Sequence, residues 1–516
     1  MPNRLNILKP KAMKVKITLF SFLLSITGLI AQSPGSFDLS FDGDGYLFFS
    51  PPGAADCAGY SFDITPEGSY LLGFRKNFDN PSAGIAKFLD NGALATNTFN
   101  PPNGFTDEMV NADFGYSLYQ PDFNRSILIG NQLGDPAGSN IVAYDANGEI
   151  DPTFNSGFYN YTGSDEDCNQ AALSVDGEIA LSHAANQGPL ITSVYNPDGS
   201  PNTGFDEDGA SVYTGSAFDD YTGNALVYQS DGKIIVAGNG TIAGVGQKDF
   251  LLARYLPNGE RDMTFGSQGI VSTDINNGYD EIIFDLVIQP DGKIIAVGGY
   301  GGDEVPATIV RYNPNGSLDT SFGNGGIHMH PLQDGLGPDS HVSVDLQPDG
   351  KIIVSGVGTF STQYVGYVAR YNIDGSLDLS FGTNGLMIPG FSVISSWFTD
   401  IKYQASNNTI VVAGYTIVPF KALMFRLNAG SVIVAVDESE TEVGKLKTFP
   451  NPSKGIFQID NIQNATWIEV FDNSGRMLIS RKQSGATIDI SELPAGVYVL
   501  KVLSEDQVFS TQVLKE

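Results

Sequence analysis

The chain is poor in the residues on which enzyme chemistry most often rests. Its 516 residues include 2 Cys, 4 His and 2 Trp. Two cysteines cannot form a disulfide framework. Cys57 and Cys168 occupy similar places in separate repeats, so two buried free thiols are expected rather than a bridge. The patterns HExxH, GxSxG, GxxxxGK(S/T) and CxxC are missing, which removes the common zinc-protease, serine-hydrolase, phosphate-loop and dithiol signatures. Bases are scarce as well: 28 Lys and Arg face 58 Asp and Glu, a net charge of −30. Such a surface repels phosphate backbones and argues against nucleic acid as a partner. Outside residues 17–30 no apolar run approaches the length of a membrane span.

That one run reads as a secretory signal. Lys14 and Lys16 precede Ile17–Ile30, and small Ala31 suits cleavage, so residues 1–31 are assigned as a signal peptide, with Met13 as an alternative start. They carry five bases and no acid, which leaves 23 bases against 58 acids, a net of −35, in the exported chain.

What the chain has in abundance is turn chemistry and repetition. Gly (60), Phe (32) and Tyr (22) favour turn-rich β structure. A phrase of the QPDGKIIVAG type is clearest at Gln229–Gly238, Gln289–Gly298 and Gln347–Gly356. Fainter copies centre on Glu67-Gly68, Asp122, Asp176-Gly177 and Asn407-Asn408, giving seven copies 54 to 60 residues apart. A fixed period of this length means an array of units, each too small to bury its own apolar faces. In the fourth copy, Asp231-Gly232 suits a tight hairpin between two apolar runs, because Gly tolerates positive φ. Phe250–Tyr255, a turn at Pro257-Asn258-Gly259 and Gly269–Thr273 complete four strands. IIVA and LLAR are apolar on successive residues, so both faces of each sheet must be covered.

Four-stranded sheets packed face to face in a ring make a β-propeller. Two more features also recur seven times. One is an aromatic before the second turn: Phe88, Tyr144, Tyr195, Tyr255, Tyr312, Tyr371 and Phe425. The other is the Phe of the SLDxSFG phrase: Phe41, Phe99, Phe154, Phe205, Phe265, Phe322 and Phe381. The last unit lacks that phrase, whereas an orphan copy stands at Ser36–Phe49. The expectation is an all-β chain. Residues 32–436 form a seven-bladed propeller whose last blade is closed by the N-terminal strand, removing exposed edges. The phrases QPDGKIIVAG and ARYNPNGSLDTSFG resemble the Delta-60 repeats of bacterial surface and secreted proteins, which are similar to predicted β-propellers of undefined biochemical role. The resemblance implies the fold and brings no catalytic residues.

Residues 437–445 read as an acidic linker, and residues 446–516 as a small antiparallel β-sandwich. The segments Phe449–Gly455 (FPNPSKG), Val470–Leu478 (VFDNSGRML), Ile488–Val502 (IDISELPAGVYVLKV) and the terminal VLKE resemble the type A sorting domain of the type IX secretion system. Pro450, Asn451, Pro452, Gly455, Gly475, Gly496, Val497 and Tyr498 carry that match. It implies the type IX machinery as a partner and an extracellular or outer-membrane-surface location in a gram-negative bacterium.

Candidate sites are few. Asp42–Gly45 and Asp206–Gly209 look like calcium loops, but Gly53 and Ala217 stand where the twelfth-position Glu should, so a turn role is expected. His328 and His330, two apart on a strand, with His341 beyond, have the spacing of a metal pair but no fixed third ligand. An acid just before the first strand of each blade recurs as Asp56, Asp113, Asp167, Asp220, Asp280, Asp339 and Asp400. First strands line the channel of a propeller, so these seven are the candidate ring for calcium or a basic ligand group. The competing reading has each Asp accept backbone hydrogen bonds in its own turn. Tyr213, Tyr279 and Tyr300 are candidate sugar-stacking loop aromatics. The functional expectation is a monomeric secreted or surface binding scaffold for a glycan, peptide or protein. The alternative is a glycan hydrolase or lyase using acids at the mouth.

Overall fold

The computed structural model describes residues 33–515 apart from 111, 133–137, 156–157, 162–166, 185–188, 215–217, 244–245, 276–278, 300–305, 331–339, 361–362, 390–394, 431–446, 450–452, 461–466, 472–476, 483–486, 494–495 and 505–506. The signal-peptide and linker assignments therefore fall outside the described residues.

Seven four-stranded antiparallel units follow the repeat, with blades three and four joined by the single bridge Ala184–Thr222. Blade four runs Phe218–Tyr228, Ile234–Ile242, Lys248–Tyr255 and Ile270–Thr273. Its hairpin forms where the phrase places it. Gly232 has φ 79°, Gln229 N–H donates to the Lys233 carbonyl at 2.7 Å, and Gly232 N–H donates to the Gln229 carbonyl at 3.0 Å. All seven phrase phenylalanines are buried, each at 0–1% exposure, filling the spaces between sheets.

The repeat phrases recognise one another chemically. Arg311, at the end of blade five's third strand Ala307–Tyr312, donates through Nε to Asp319 of the SLDTSFG phrase at 2.8 Å. It stacks 4.5 Å over Phe322 and donates to the Ile373 carbonyl of blade six at 2.6 Å. Arg254 repeats this with Asp262, Phe265 and the Pro314 carbonyl. Arg370 repeats it with Asp378, Phe381 and the Ala429 carbonyl. Each arginine thus ties a blade to its own loop and to the next blade.

At the seam the same device is built from both ends of the ring. Blade seven holds Ser396–Gln404, Thr409–Ile417 and Phe420–Asn428, and its fourth strand is Tyr46–Phe49, paired from Tyr46–Phe425 to Phe49–Ala422. Arg426 donates to Asp38 at 2.8 Å and to the Asp90 carbonyl of blade one at 2.7 Å, and lies 5.3 Å over Phe41. The orphan N-terminal phrase is the missing loop of the last blade. One detail differs from the sequence reading. Strand pairing sets Tyr255 opposite Ile234 and Leu427 opposite Ile410, so Leu427, not Phe425, holds the aromatic position in blade seven.

In the tail, Lys447–Phe449, Ile456–Asp460 and Thr487–Asp489 form one sheet, and Met477–Lys482, Trp467–Phe471, Gly496–Ser504 and Gln507–Lys515 another. Phe457 and Ile488 from the first share a core with Ile468, Val470, Tyr498, Leu500, Val502 and Val513 from the second. The strand Lys447–Phe449 was not anticipated from the sequence.

Candidate functional site

Every first strand carries a β-bulge, at Gly59/Ser61, Asp113/Tyr116, Cys168/Gln170, Gly223/Ala225, Ile283/Asp285, His341/Ser343 and Phe398/Asp400. A bulge twists its strand and re-aims the side chains beyond it. Here the residue after the bulge turns toward the next blade. Ser117 N–H donates to Ser61 Oγ at 2.8 Å, Val344 N–H to Asp285 Oδ2 at 2.9 Å, and Phe62 N–H to Asp400 Oδ2 at 2.9 Å. The seven first strands converge on a polar cavity of about 220 Å³.

Its wall is divided by charge. Blades two to four contribute Tyr116, Leu118, Gln170, Ala171 and Leu226, whereas blades five to seven contribute Asp285, Asp345, Asp400 and Lys402. Lys402 Nζ donates to Asp63 of blade one at 3.2 Å. Asp345 accepts the Tyr403 N–H at 2.7 Å, and Asp63 the Tyr119 N–H at 2.9 Å. The four acids therefore form an arc, each bonded to the backbone of its neighbour blade.

Burial dominates their ionisation. It pushes Asp400 up to about 7, against the opposing pull of Lys402 and the Phe62 N–H, with Asp285 and Asp63 adding repulsion. Asp285 is pushed up to about 6 for the same first reason, although the Val344 N–H and the Ser343 hydroxyl favour its charge. Asp345 is raised by burial. Burial disfavours charge on Lys402 too, but Asp63 and Asp400 outweigh it and hold the ammonium above its ordinary range. Ser343 Oγ lies 2.8 Å from Asp285 Oδ2 and 3.4 Å from Asp400 Oδ1. One hydroxyl proton serves one acceptor. A proton on Asp400, donated to Ser343 Oγ while that hydroxyl donates to Asp285, completes the chain and matches the two raised carboxyls.

The seven aspartates picked from the sequence do not share one environment. Asp400 lines the cavity. Asp56 accepts the Phe78 N–H at 2.8 Å, Asp280 accepts the Lys248 N–H at 3.0 Å, and Asp113 pairs with Arg75. Asp220 is half-buried within its strand and Asp167 begins its own. Asp339 lies outside the described residues. The reason is register. Asp56, Asp220 and Asp280 lie five residues before the post-bulge position, Asp113 and Asp167 three before it, and Asp400 on it. Asp63, Asp285, Asp345 and Lys402 were missed because no motif marks the bulge.

His341 donates and accepts through both ring nitrogens with Tyr367 Oη at 2.9 Å and Tyr371 Oη at 3.0 Å, which leaves it no free lone pair for a metal. His328 and His330 stack on each other 6.0 Å apart and edge-on to Tyr371, a packing role. Asp44 and Asp208 accept N–H groups two residues on, as turn residues do. Cys57 and Cys168 are buried thiols outside any disulfide, and burial pushes Cys57 up to about 12. Tyr213 packs under Arg261 at 4.4 Å, Tyr279 is half-buried, and Tyr300 lies outside the described residues.

In the tail, Gly455 has φ 107°, and a Cβ there would meet the Ser491 backbone at 2.6 Å. Gly496 opens its strand with Val497 next in line, and Tyr498 is buried in the core. Pro450, Asn451, Pro452 and Gly475 lie outside the described residues.

Residues 447–516 match the family described as secretion system C-terminal sorting domain. Residues 229–265, 289–322 and 347–381 match the domain of unknown function (DUF5122) beta-propeller. The sorting domain marks the chain for handling by the type IX secretion machinery and for the cell surface or extracellular space. Among the described residues no helix is long and apolar enough to cross a membrane. No curated protein matches the chain. Among solved structures, a polysaccharide lyase PL25 ulvan lyase, bound to a GlcA–Rha3S saccharide, is 12% identical, covering 74% of this chain and 96% of that one at a TM-score of 0.46. A protein of unknown function from Dyadobacter fermentans is 11% identical over 74% and 97% at 0.41. The propeller domain of the Trilobed protease from Pyrococcus furiosus is 10% identical over 75% and 99% at 0.39. At this distance no activity transfers.

Proposed function

We propose that the exported ring is a surface or extracellular binding protein whose channel accepts a cationic group, a primary amine or guanidinium, carried by a peptide or glycan. The observation that carries this reading is the acidic arc. Asp285, Asp345 and Asp400 are raised by burial, and Lys402, the cation that lines the cavity among the described residues, already pairs with Asp63. A carboxyl held partly neutral by burial ionises once a countercharge arrives. Binding should release a proton and tighten as pH rises through 6 to 7, the range of Asp285 and Asp400. A cavity of about 220 Å³ suits a side-chain-sized group rather than a polymer segment.

Calorimetric titration of the full chain with N-acetyl-lysine methylamide and N-acetyl-arginine methylamide tests it. Saturable binding at pH 8 that weakens at pH 5.5, and that drops at least tenfold in Asp285→Asn and Asp400→Asn, is expected. Heat that never saturates, or affinity indifferent to both substitutions, removes the reading. One observation favours a second reading. A carboxyl pushed up to about 7, linked through Ser343 to another, has the form of a general acid and its partner. A glycan hydrolase or lyase on this basis predicts turnover on a polysaccharide panel that Asp400→Asn abolishes.

A further inference from the structure

We propose that Asp249, Asp274 and Glu281 form a calcium site that clamps the crossover between blades four and five. Asp249 stands at the start of the third strand of blade four, Asp274 just beyond its last strand, and Glu281 just before the first strand of blade five, Ile282–Ile288. One carboxylate oxygen from each lies within 4.8 Å of the others. Residues 25 and 7 positions apart along the chain have been brought to one point.

Acids gather on propeller surfaces without purpose, but two of these three lie beneath the surface and only Asp274 is exposed. Glu281 is fully buried and Asp249 is 4% exposed. Asp249 Oδ2 accepts the Ser272 hydroxyl at 3.1 Å, whereas Oδ1 is buried with no hydrogen-bond partner among the described residues. A buried carboxylate oxygen left unbonded is costly, so such an atom calls for a ligand. Burial, with repulsion from Asp274, raises the Asp249 carboxyl. A bound cation reverses both effects.

The donors indicate which cation. Three carboxylates without nitrogen or sulfur suit a hard ion. Calcium takes carboxylate oxygens at about 2.4 Å in flexible geometry, whereas magnesium demands a near-ideal octahedron at about 2.05 Å and keeps several of its waters, so a loosely gathered trio of acids favours calcium. The surrounding backbone already holds the shape. Ile275 N–H donates to Glu281 Oε2 at 2.9 Å, Glu281 N–H to the Lys248 carbonyl at 2.8 Å, and Lys248 N–H to Asp280 at 3.0 Å. Asp280, a candidate channel residue from the sequence, thus braces this junction. None of the three acids lines the channel cavity, so the site is separate from the proposed amine site.

The test is calorimetric titration of the EDTA-treated, desalted full chain with calcium chloride and then magnesium chloride, alongside thermal melts. One calcium per chain with Kd between about 10 μM and 1 mM, and magnesium at least tenfold weaker, is expected. Calcium at 10 mM should raise the melting temperature. Asp249→Asn and the exposed Asp274→Asn should each weaken calcium at least tenfold and cancel the thermal gain. In EDTA both variants should melt no lower than the parent, since mutual repulsion is relieved; a purely structural role predicts a lower melt. Failure of the parent to bind calcium at 10 mM, or unchanged affinity in both variants, overturns the site.

Discussion

Asp400 shows how a single carboxyl sets a pH dependence for the whole ring. Its ordinary value is 3.8 and burial lifts it to about 7. Below pH 4 both folded and unfolded chains hold the proton, and this residue contributes nothing to their difference. Between pH 4 and 7 the unfolded chain ionises first, so stability falls as pH rises, and the loss is complete above 7. Asn keeps the acceptor for the Phe62 N–H and cannot ionise. Asp400→Asn should therefore stabilise the empty protein by about 2 kcal/mol at pH 8, after a discount for water in the channel, and by almost nothing at pH 4. Paired thermal melts at the two pH values check this; equal shifts at both would mean that Asp400 ionises normally. The same substitution weakens the amine site, so stability and binding should move in opposite directions.

The blade is the element, and its arginine staple is the part that reads most plainly. Arg311 and Asp319 are 5% and 7% exposed, so removing Arg311 leaves Asp319 buried with only the looser Lys293 ammonium, 3.6 Å away, as its countercharge. Burial opposes charge on Asp319, but the Ser321 hydroxyl and N–H together with Arg311 more than offset it and lower its carboxyl. Arg311→Ala should cost about 3 kcal/mol, seen as a lower denaturant midpoint. Arg311→Lys should recover little, because a point charge cannot stack on Phe322 while reaching both Asp319 and the Ile373 carbonyl. Parent-like stability in Arg311→Ala would reduce the staple to decoration. The hairpin was legible in the sequence because Asp-Gly encodes a local event, whereas the ion pair that joins the ARY and SLDxSFG phrases emerges only from the structure. The channel was not legible. Its chemistry depends on a bulge that can hold Tyr60, Asn169, Phe284 or Thr399, with no shared residue type to flag it. An acid chosen by sequence position alone, such as Asp56 or Asp280, then lands up to five residues from the wall. Asp285 and Asp400 become equivalent only once strand pairing is known.

At the scale of the molecule, two claims separate. The tail addresses the chain, and its own core joins both of its sheets. Deleting residues 446–516 should trap the protein in the periplasm while leaving the melting temperature of the ring within about 2 °C, since few ring contacts would be lost. Secretion of the shortened chain into the medium would contradict the address. The ring, in contrast, depends on its two ends meeting. Residues 33–49 supply the outer strand of blade seven, the Phe41 plug and the Asp38 partner of Arg426. Without them Phe420–Asn428 becomes an open edge with a half-satisfied arginine beside it, a template for pairing with other chains. A chain lacking residues 33–49 should melt at least 10 °C lower and form concentration-dependent oligomers. Asp38→Ala, which keeps the strand, should cost only a few degrees. A synthetic peptide of residues 33–49 added in trans should restore the monomer by re-pairing Tyr46–Phe49. Rescue separates closure from mere loss of mass. If the shortened chain stays monomeric with an unchanged melt, the N-terminal strand only decorates a ring held by its blade-to-blade packing.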